Sequence, residues 1–214
     1  MLKELRPAVI AVLLFTVVLG LAYPLGMTGV AQVVFPNKAD GSVIERDGEP
    51  VGSRLIGQDF SRDTTYFQSR PSATEYAADA TFFNNLGPNQ QDLADLLEEN
   101  LAAYVEREGE FTPGLQPDDV PPDAVTTSAS GVDPHISEDN ALIQANRVAE
   151  ERGLTVERVH ELIEDSTSRP LLGLAGEKSI NVLELNLALD EERRPGAGRP
   201  STAGWLSLEE APPQ

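Results

Sequence analysis

Ser130, Asp133 and His135 fall in one short loop, residues 130–137, and are the side-chain types of a nucleophile, an acid and a base. A nucleophilic triad needs the imidazole to reach the hydroxyl with one nitrogen and the carboxylate with the other, which three residues crowded into one loop rarely achieve. No Gly-x-Ser-x-Gly elbow occurs anywhere in the chain. Asp133 and His135 could supply two metal donors, but no third ligand accompanies them, and a loop-stabilising histidine is the simpler reading. Phosphate chemistry has no Walker A or Gly-x-Gly-x-x-Gly motif to rest on. Ser130 and Gly131, with Gln144 further on, place donors near a predicted helix N-terminus, where an anion could bind. Arg70 follows Tyr66-Phe67 and precedes Pro71, which biases its backbone towards an extended form. Such an arginine can stack on an aromatic ring or grip a carboxylate, and most often ties a loop to its own domain.

Composition narrows the choice. The 214 residues hold no cysteine and two histidines, His135 and His160, so disulfides, thiolate catalysis and a histidine-rich metal site are excluded. Against 16 Lys and Arg stand 35 Asp and Glu, a formal charge of -19 that repels nucleic acid. The acids are spread along the chain, a distribution that fits a salt-adapted, halophile-type surface; an acidic domain kept soluble by net charge is the plainer alternative.

What positions these residues begins with a membrane segment. Residues 7–37 carry no charge, and 8–30 are mostly Val, Leu, Ile and Ala. About 20 apolar residues cross a hydrocarbon core of roughly 30 Å. Lys3 and Arg6 precede the run, so the positive-inside rule puts residues 1–7 in the cytoplasm and the rest outside. A cleaved signal peptide is the rival reading, with Gly29-Val30-Ala31 as a small-x-small site. Small residues at Thr16 and Gly20, then at Ala22, Gly26 and Gly29, could let a partner helix approach closely. Pro24 is expected to kink or end the helix.

Beyond it, residues 31–189 read as one compact extracytoplasmic α+β domain with short strands and about three helices. Two strands flank the Asp47-Gly48 turn. A packed loop covers 57–76. A helix over 90–108 carries Leu93, Leu96, Leu97, Leu101, Tyr104 and Val105 as an apolar stripe destined for the core, ended by Gly109. Residues 123–128 read as extended. Ser137 caps a helix over 138–152 that turns Leu142, Ala145, Val148 and Ala149 inward and leaves Gln144, Arg147 and Arg152 at its edges. Thr155 caps another, to about Asp165, stapled by Leu154 and Val159. Turn glycines Gly173 and Gly176 precede 181–189, where leucines alternate with polar residues as in a half-buried strand. Residues 190–214 read as a disordered tail.

Several stretches together carry a resemblance: "GSRLIGQDF" at 52–60, "YFQSRPSA" at 66–73, "NLGP" at 85–88 and "DAVTTSASGVDPHIS" at 123–137. Ala141, Gln144, Arg147, Val148, Ala149, Arg152, Gly173, Gly176, Glu177 and "NVLELN" at 181–186 continue it. With the single apolar N-terminal segment, the chain resembles the C subunit of the Kdp potassium-transporting ATPase, from its start to about Leu189. It departs at Phe83-Asn84 and Asn89-Gln90, where the family usually has Gly-Ser and Thr-Asn, and at Val132, where leucine is usual.

The resemblance implies a non-catalytic accessory subunit of an ATP-driven potassium import complex, held in the cell membrane beside a channel-like potassium-binding subunit and an ATP-hydrolysing one. It also implies a catalytic chaperone that raises the ATP affinity of the ATPase subunit, with ATP shared between them and Ser130, Gly131 and Gln144 as the nucleotide-related residues. Arg70, Asp133, His135 and Arg147 belong to the motif loops it carries. An outside domain cannot meet cytoplasmic ATP, so the topology favours a cap over the external ion entrance. Thr16, Gly20, Ala22 and Gly26 are then the positions expected to pack on a partner helix. A membrane-anchored extracellular hydrolase and a small-ligand binding module are the alternatives.

Overall fold

A computed structural model describes residues 2–79, 85–169 and 176–192. The uncharged N-terminal run is helical through α1, Leu2–Val17, and α2, Tyr23–Val34, joined without a break by a π-turn at Val18–Ala22. The apolar stretch Lys3–Val34 is 32 residues long and none of it is buried in the chain's own fold. At 1.5 Å per residue it measures about 48 Å, more than a hydrocarbon core requires. Pro24 coincides with the expected interruption of the regular α-helix, which takes the form of the π-turn just before it and not of an end to the helical run. It sits in the first turn of α2, and the preceding π-turn, closed by the Tyr23 amide on the Val18 carbonyl, widens the coil where the ring would otherwise meet the backbone. Gly20 has only the Thr16 Cγ2 atom near its missing Cβ, at 3.9 Å, and Gly26 and Gly29 face open space. Gly20 and Ala22, two residues apart, cannot share a face, so Thr16–Gly20 and Ala22–Gly26 form two separate small-residue pairs.

A one-turn helix α3, Pro36–Ala39, leads to the hairpin of β1, Val43–Arg46, and β2, Glu49–Ser53. Asp47 and Gly48 both have positive φ, 55° and 84°, as the tight turn demanded. Residues 57–79 follow as a long loop without strand or helix. Helix α4, Gln91–Gly109, comes next, then a 3₁₀ turn at Pro117–Asp119 and the one-turn helix α5, Pro122–Val125. The stretch expected to be extended from Asp123 is thus partly helical, because Pro121 and Pro122 start a turn that the Thr126 amide and hydroxyl close on the Pro122 carbonyl. The α4 stripe is only half as internal as predicted. Leu93, Leu96, Leu97 and Leu101 stay partly exposed, and Tyr104 and Glu108 are its buried members.

The core gathers on α6, Glu138–Arg152, α7, Val156–Ser166, and α8, Val182–Glu191, backed by a three-stranded antiparallel sheet ordered β3-β5-β4. Its strands are β3, His135–Ile136, β4, Thr167–Ser168, and β5, Ser179–Asn181. Ser137 and Thr155 cap α6 and α7 by accepting the amides of Asn140 and Arg158, and Gly153 closes α6 at φ 64°. Ala141, Ala145, Val148 and Ala149 face the core, whereas Leu142 is 36% exposed.

The alternating leucines after Asn181 are not a strand. Asn181 ends β5 and its Oδ1 accepts the Glu184 amide, which starts α8. Leucine is a strong helix former, and Val182, Leu185, Asn186 and Leu189 recur at three and four spacing, a pattern hidden beneath the period of two. Helix α8 buries Asp190, so the chain is folded past the boundary expected at 189. From residue 193 the expected tail lies outside the described residues, as do Phe83, Asn84 and Gly173.

Candidate functional site

A loop with no secondary structure cannot be buried unless every backbone polar group finds a partner. Residues 64–68 meet this demand largely through side chains, the Tyr66 amide on the Asp63 carbonyl being a backbone exception. The Thr64 carbonyl accepts from Arg147 Nη1, that of Thr65 from Arg152 Nε at 2.7 Å, and that of Tyr66 from Arg147 Nη1 at 3.0 Å. Asn186 Nδ2 then donates to the Phe67 carbonyl at 2.9 Å and Gln144 Nε2 to that of Gln68 at 3.2 Å. The amides of Phe67 and Gln68 donate back, to Asn186 Oδ1 at 2.9 Å and to Gln144 Oε1 at 2.8 Å. Two side-chain amides therefore imitate β-ladder pairing, one from α8 and one from α6, and the fully buried Phe67 is held between them.

Gln144 and Arg147 are not at the edge of α6 but inside it, 1% and 0% exposed. Gln144 Oε1 accepts a second hydrogen bond from Arg147 Nη2 at 3.0 Å, and Nε2 gives its second to Asn140 Oδ1 at 2.9 Å. A carboxamide has two acceptor sites and two donors, so this one is fully used. Arg147 Nε lies 3.1 Å from each oxygen of Glu108, which is fully buried and also takes Arg107 Nε at 2.7 Å. Burial pulls the Arg147 guanidinium below its ordinary pKa, and Glu108 opposes that shift. A second node centres on Asp190, paired with Arg46 at 2.7 Å and Arg152 at 3.0 Å, and hydrogen bonded by the Tyr66 hydroxyl at 3.0 Å. The Arg152 guanidinium lies 4.5 Å from the Tyr66 ring centre. Burial first, then the Asp190 charge, pushes the Tyr66 hydroxyl up to about 12.

The loop motif at 130–137 makes a third node nearer the surface. Arg70 Nη1 meets Asp133 Oδ2 at 3.0 Å and Nη2 meets Thr126 Oγ1 at 3.2 Å. Asp133 Oδ1 accepts the His135 amide at 3.0 Å and stands 3.5 Å from its Nδ1. Ser130 Oγ accepts the Val132 amide, and among the described residues no hydrogen bond joins it to His135. Asp133 and His135 are thus joined while Ser130 stands apart from both, and no group of three potential metal ligands occurs among the described residues.

Hydrogen bonding to His135, joined by Arg70, holds the Asp133 carboxyl below its ordinary pKa. A depressed carboxylate stabilises the fold above its unfolded pKa, about 3.9, and loses that contribution as pH falls through the lower folded value. The half-exposed Asp133→Asn variant should therefore be about 1 kcal/mol less stable than the parent at pH 6 and approach it below about pH 4, as read by urea unfolding.

Gly131 is buried at φ 74°, its carbonyl accepts Ser72 Oγ at 2.6 Å, and a Cβ there would lie 2.5 Å from Thr74 Oγ1. Gly57 similarly presses on the Asp133 carbonyl, 2.6 Å from where its Cβ would be. Gly131→Ala should lower stability by about 1–3 kcal/mol, from backbone strain plus the Thr74 clash, as a shifted thermal midpoint.

The sequence comparisons bear on this loop-clamping arrangement. A family model described as K+-transporting ATPase, c chain (KdpC), matches residues 5–191, which take in nearly all of the apolar N-terminal helix and all three nodes. The chain belongs to the KdpC family. It is 47% identical over 204 residues to the potassium-transporting ATPase KdpC subunit of Rhodopseudomonas palustris strain TIE-1, covering 89% of this chain and 98% of that one. It is 48% identical over 202 residues to the subunit of the same name in Caulobacter vibrioides strain NA1000, with coverage of 93% and 98%.

Within this KdpC-family chain, the motif residues divide by position. Gln144 and Arg147 join Arg152 and Asn186 in holding residues 64–68, whereas Arg70, Asp133 and His135 join loop to loop near the surface, with Ser130 and Gly131 beside them. Glu108, Asp190 and Asp123 are the site residues that sequence reading missed. Asp123 takes the Ser137 amide at 2.9 Å, the Ser137 hydroxyl at 2.7 Å and Asn140 Nδ2 at 3.0 Å, anchoring the start of α6. The one signal for Glu108 was its place four residues after Tyr104, where it continues the apolar stripe as a carboxylate. Asp190 gave none, since its partners Arg46 and Tyr66 lie more than a hundred residues away.

Proposed function

We propose that this chain is a non-catalytic, single-span accessory subunit of an ATP-driven potassium import complex, whose domain stands outside the cell membrane, stabilises the assembly and caps the external ion entrance. The observation that carries the reading is the saturation of Gln144: its four hydrogen-bonding positions are engaged by Gln68, Arg147 and Asn140, and none is left for a nucleotide. The uncoupled Ser130 and His135 support the absence of hydrolase chemistry in the same way. Lys3 and Arg6 before the span support the outside placement. The acidic excess is read first as salt adaptation, and second as a field that concentrates cations near the entrance. The partners in this reading are the channel-like and the ATP-hydrolysing subunits, with Thr16–Gly20 and Ala22–Gly26 as the helix faces they meet.

The family's other implied role, a chaperone that raises ATP affinity, requires the domain to reach cytoplasmic ATP. Protease treatment of sealed vesicles of known orientation separates the two. Cleavage of the domain from the external face only is the expected result, and cleavage from the cytoplasmic face only would restore direct ATP contact. A deletion strain should lose high-affinity potassium uptake, and normal uptake there would overturn the assignment as a whole.

A further inference from the structure

Outside the span and its exit, the large apolar side chains most exposed among the described residues are few. Val43 is 52% exposed, Leu55 62% and Leu142 36%. Two of these three belong to the base of the first hairpin, the part of the domain that directly follows the membrane. Val43 opens β1 and pairs with Ser53, the Arg54 amide donates to the Ser42 carbonyl, and the Leu55 amide donates to Ser53 Oγ. Val43 and Leu55 thus both stand beside Ser42.

The connection to the span is short and internally bonded. Phe35 donates to the Ala31 carbonyl, Ala39 to Phe35, Asp40 to Pro36, Gly41 to Lys38 and Ser42 to Asn37, so backbone hydrogen bonds run unbroken from the last turn of α2 to the first strand. The uncharged helix from residue 7 to 34 is about 42 Å long, which matches a bilayer including its headgroup regions, roughly 40–45 Å. With Lys3 and Arg6 at one polar surface, Phe35 and Lys38 come to lie at the other. Ser42 cannot then be far above it. Charge is uneven along the hairpin: Lys38, Asp40 and Arg54, the last paired with Glu184 at 2.9 Å, lie at its base, while at its tip Glu45, Asp47 and Glu49 outnumber Arg46, which is itself paired with Asp190.

We infer that the base of the β1–β2 hairpin rests in the lipid headgroup layer where the span emerges, with Val43 and Leu55 as its apolar contacts. Two side chains at this depth, continuous with a helix already in lipid, add interfacial binding without a second anchor and limit how the domain can tilt over the membrane. The acidic tip, repelled from anionic headgroups, points the remaining surface away from the bilayer.

The inference rests on reading Lys3–Val34 as a span, and the test keeps the two apart. Because the chain has no cysteine, single cysteines can carry an environment-sensitive fluorophore at Leu14→Cys, Val43→Cys, Leu55→Cys and Leu142→Cys in the full-length chain, reconstituted into phosphatidylcholine vesicles. Nitroxide-labelled lipids with the quencher deep in the acyl chain or close to the headgroup then report depth. The expected result is loss of emission at 14 with the deep quencher, and at 43 and 55 with the shallow one, with 142 unaffected by either. Quenching at 14 but not at 43 and 55 would overturn the inference, whether those residues are in water or covered by a second copy of the chain. Absence of quenching at 14 would overturn the span itself.

Discussion

Arg147→Met is expected to destabilise the chain by about 3–5 kcal/mol, the range for removing one partner from a buried ion pair. The substitution keeps the unbranched stem and the helix propensity, so the loss isolates the guanidinium. Glu108 would be left fully buried with Arg107 as its remaining partner, and the Thr64 and Tyr66 carbonyls would lose their donor. Urea unfolding of the detergent-solubilised full-length chain, followed by far-ultraviolet circular dichroism, measures it. Adding Glu108→Gln should cost less than it does in the parent background, because the buried carboxylate has there already lost its Arg147 partner. Strict additivity of the two substitutions would refute the coupling. The double variant should not return to parental stability, because Arg147 also serves two backbone carbonyls that methionine cannot reach.

Gln144→Ala is the second large effect, and it separates a structural role from a nucleotide-binding one. It strips Gln68 of both backbone partners and leaves Asn140 Oδ1 and Arg147 Nη2 each short of one. With several buried polar groups newly unsatisfied, a loss of about 2–4 kcal/mol is expected in the chain alone, without nucleotide or partner. In the assembled complex, potassium uptake should then fall in step with the amount of folded subunit, while the KM for ATP of the complexes that do assemble stays unchanged. Parental stability with a raised KM would assign Gln144 to ATP instead. Gln144→Glu is a useful companion, since it keeps the shape of the amide but replaces two donors by acceptors facing the Gln68 carbonyl and Asn140 Oδ1.

Much of the local structure was legible in the residues. The long apolar N-terminal helix, the Asp47-Gly48 hairpin, the caps at Ser137 and Thr155 and the long loop over 57–76 all follow from signals within a few residues of one another. The error at 181–189 has an equally local cause: Val182, Leu185 and Leu189 satisfy a helical period while Leu183, Leu185, Leu187 and Leu189 satisfy that of a strand. The choice fell to Asn181, which caps a helix by accepting the Glu184 amide and at the same time donates to the Arg54 carbonyl, 127 residues away.

Family membership was likewise open to sequence reading, because the motif stretches at 52–60, 66–73 and 123–137 are matched as strings. Their purpose was not. By itself the sequence determined that an uncharged run of helical residues precedes an acidic α+β domain without cysteine, and which loops carry the polar motifs. Only the tertiary structure decided that Gln144, Arg147, Arg152 and Asn186 point at one strip of backbone, residues 64–68, and that Glu108 and Asp190 balance the buried arginines. Capping and periodicity act between neighbours, whereas a buried polar group is satisfied by whatever the fold brings to it. A glutamine on a helix looks the same in sequence whether it faces a ligand or a carbonyl 76 residues earlier in its own chain.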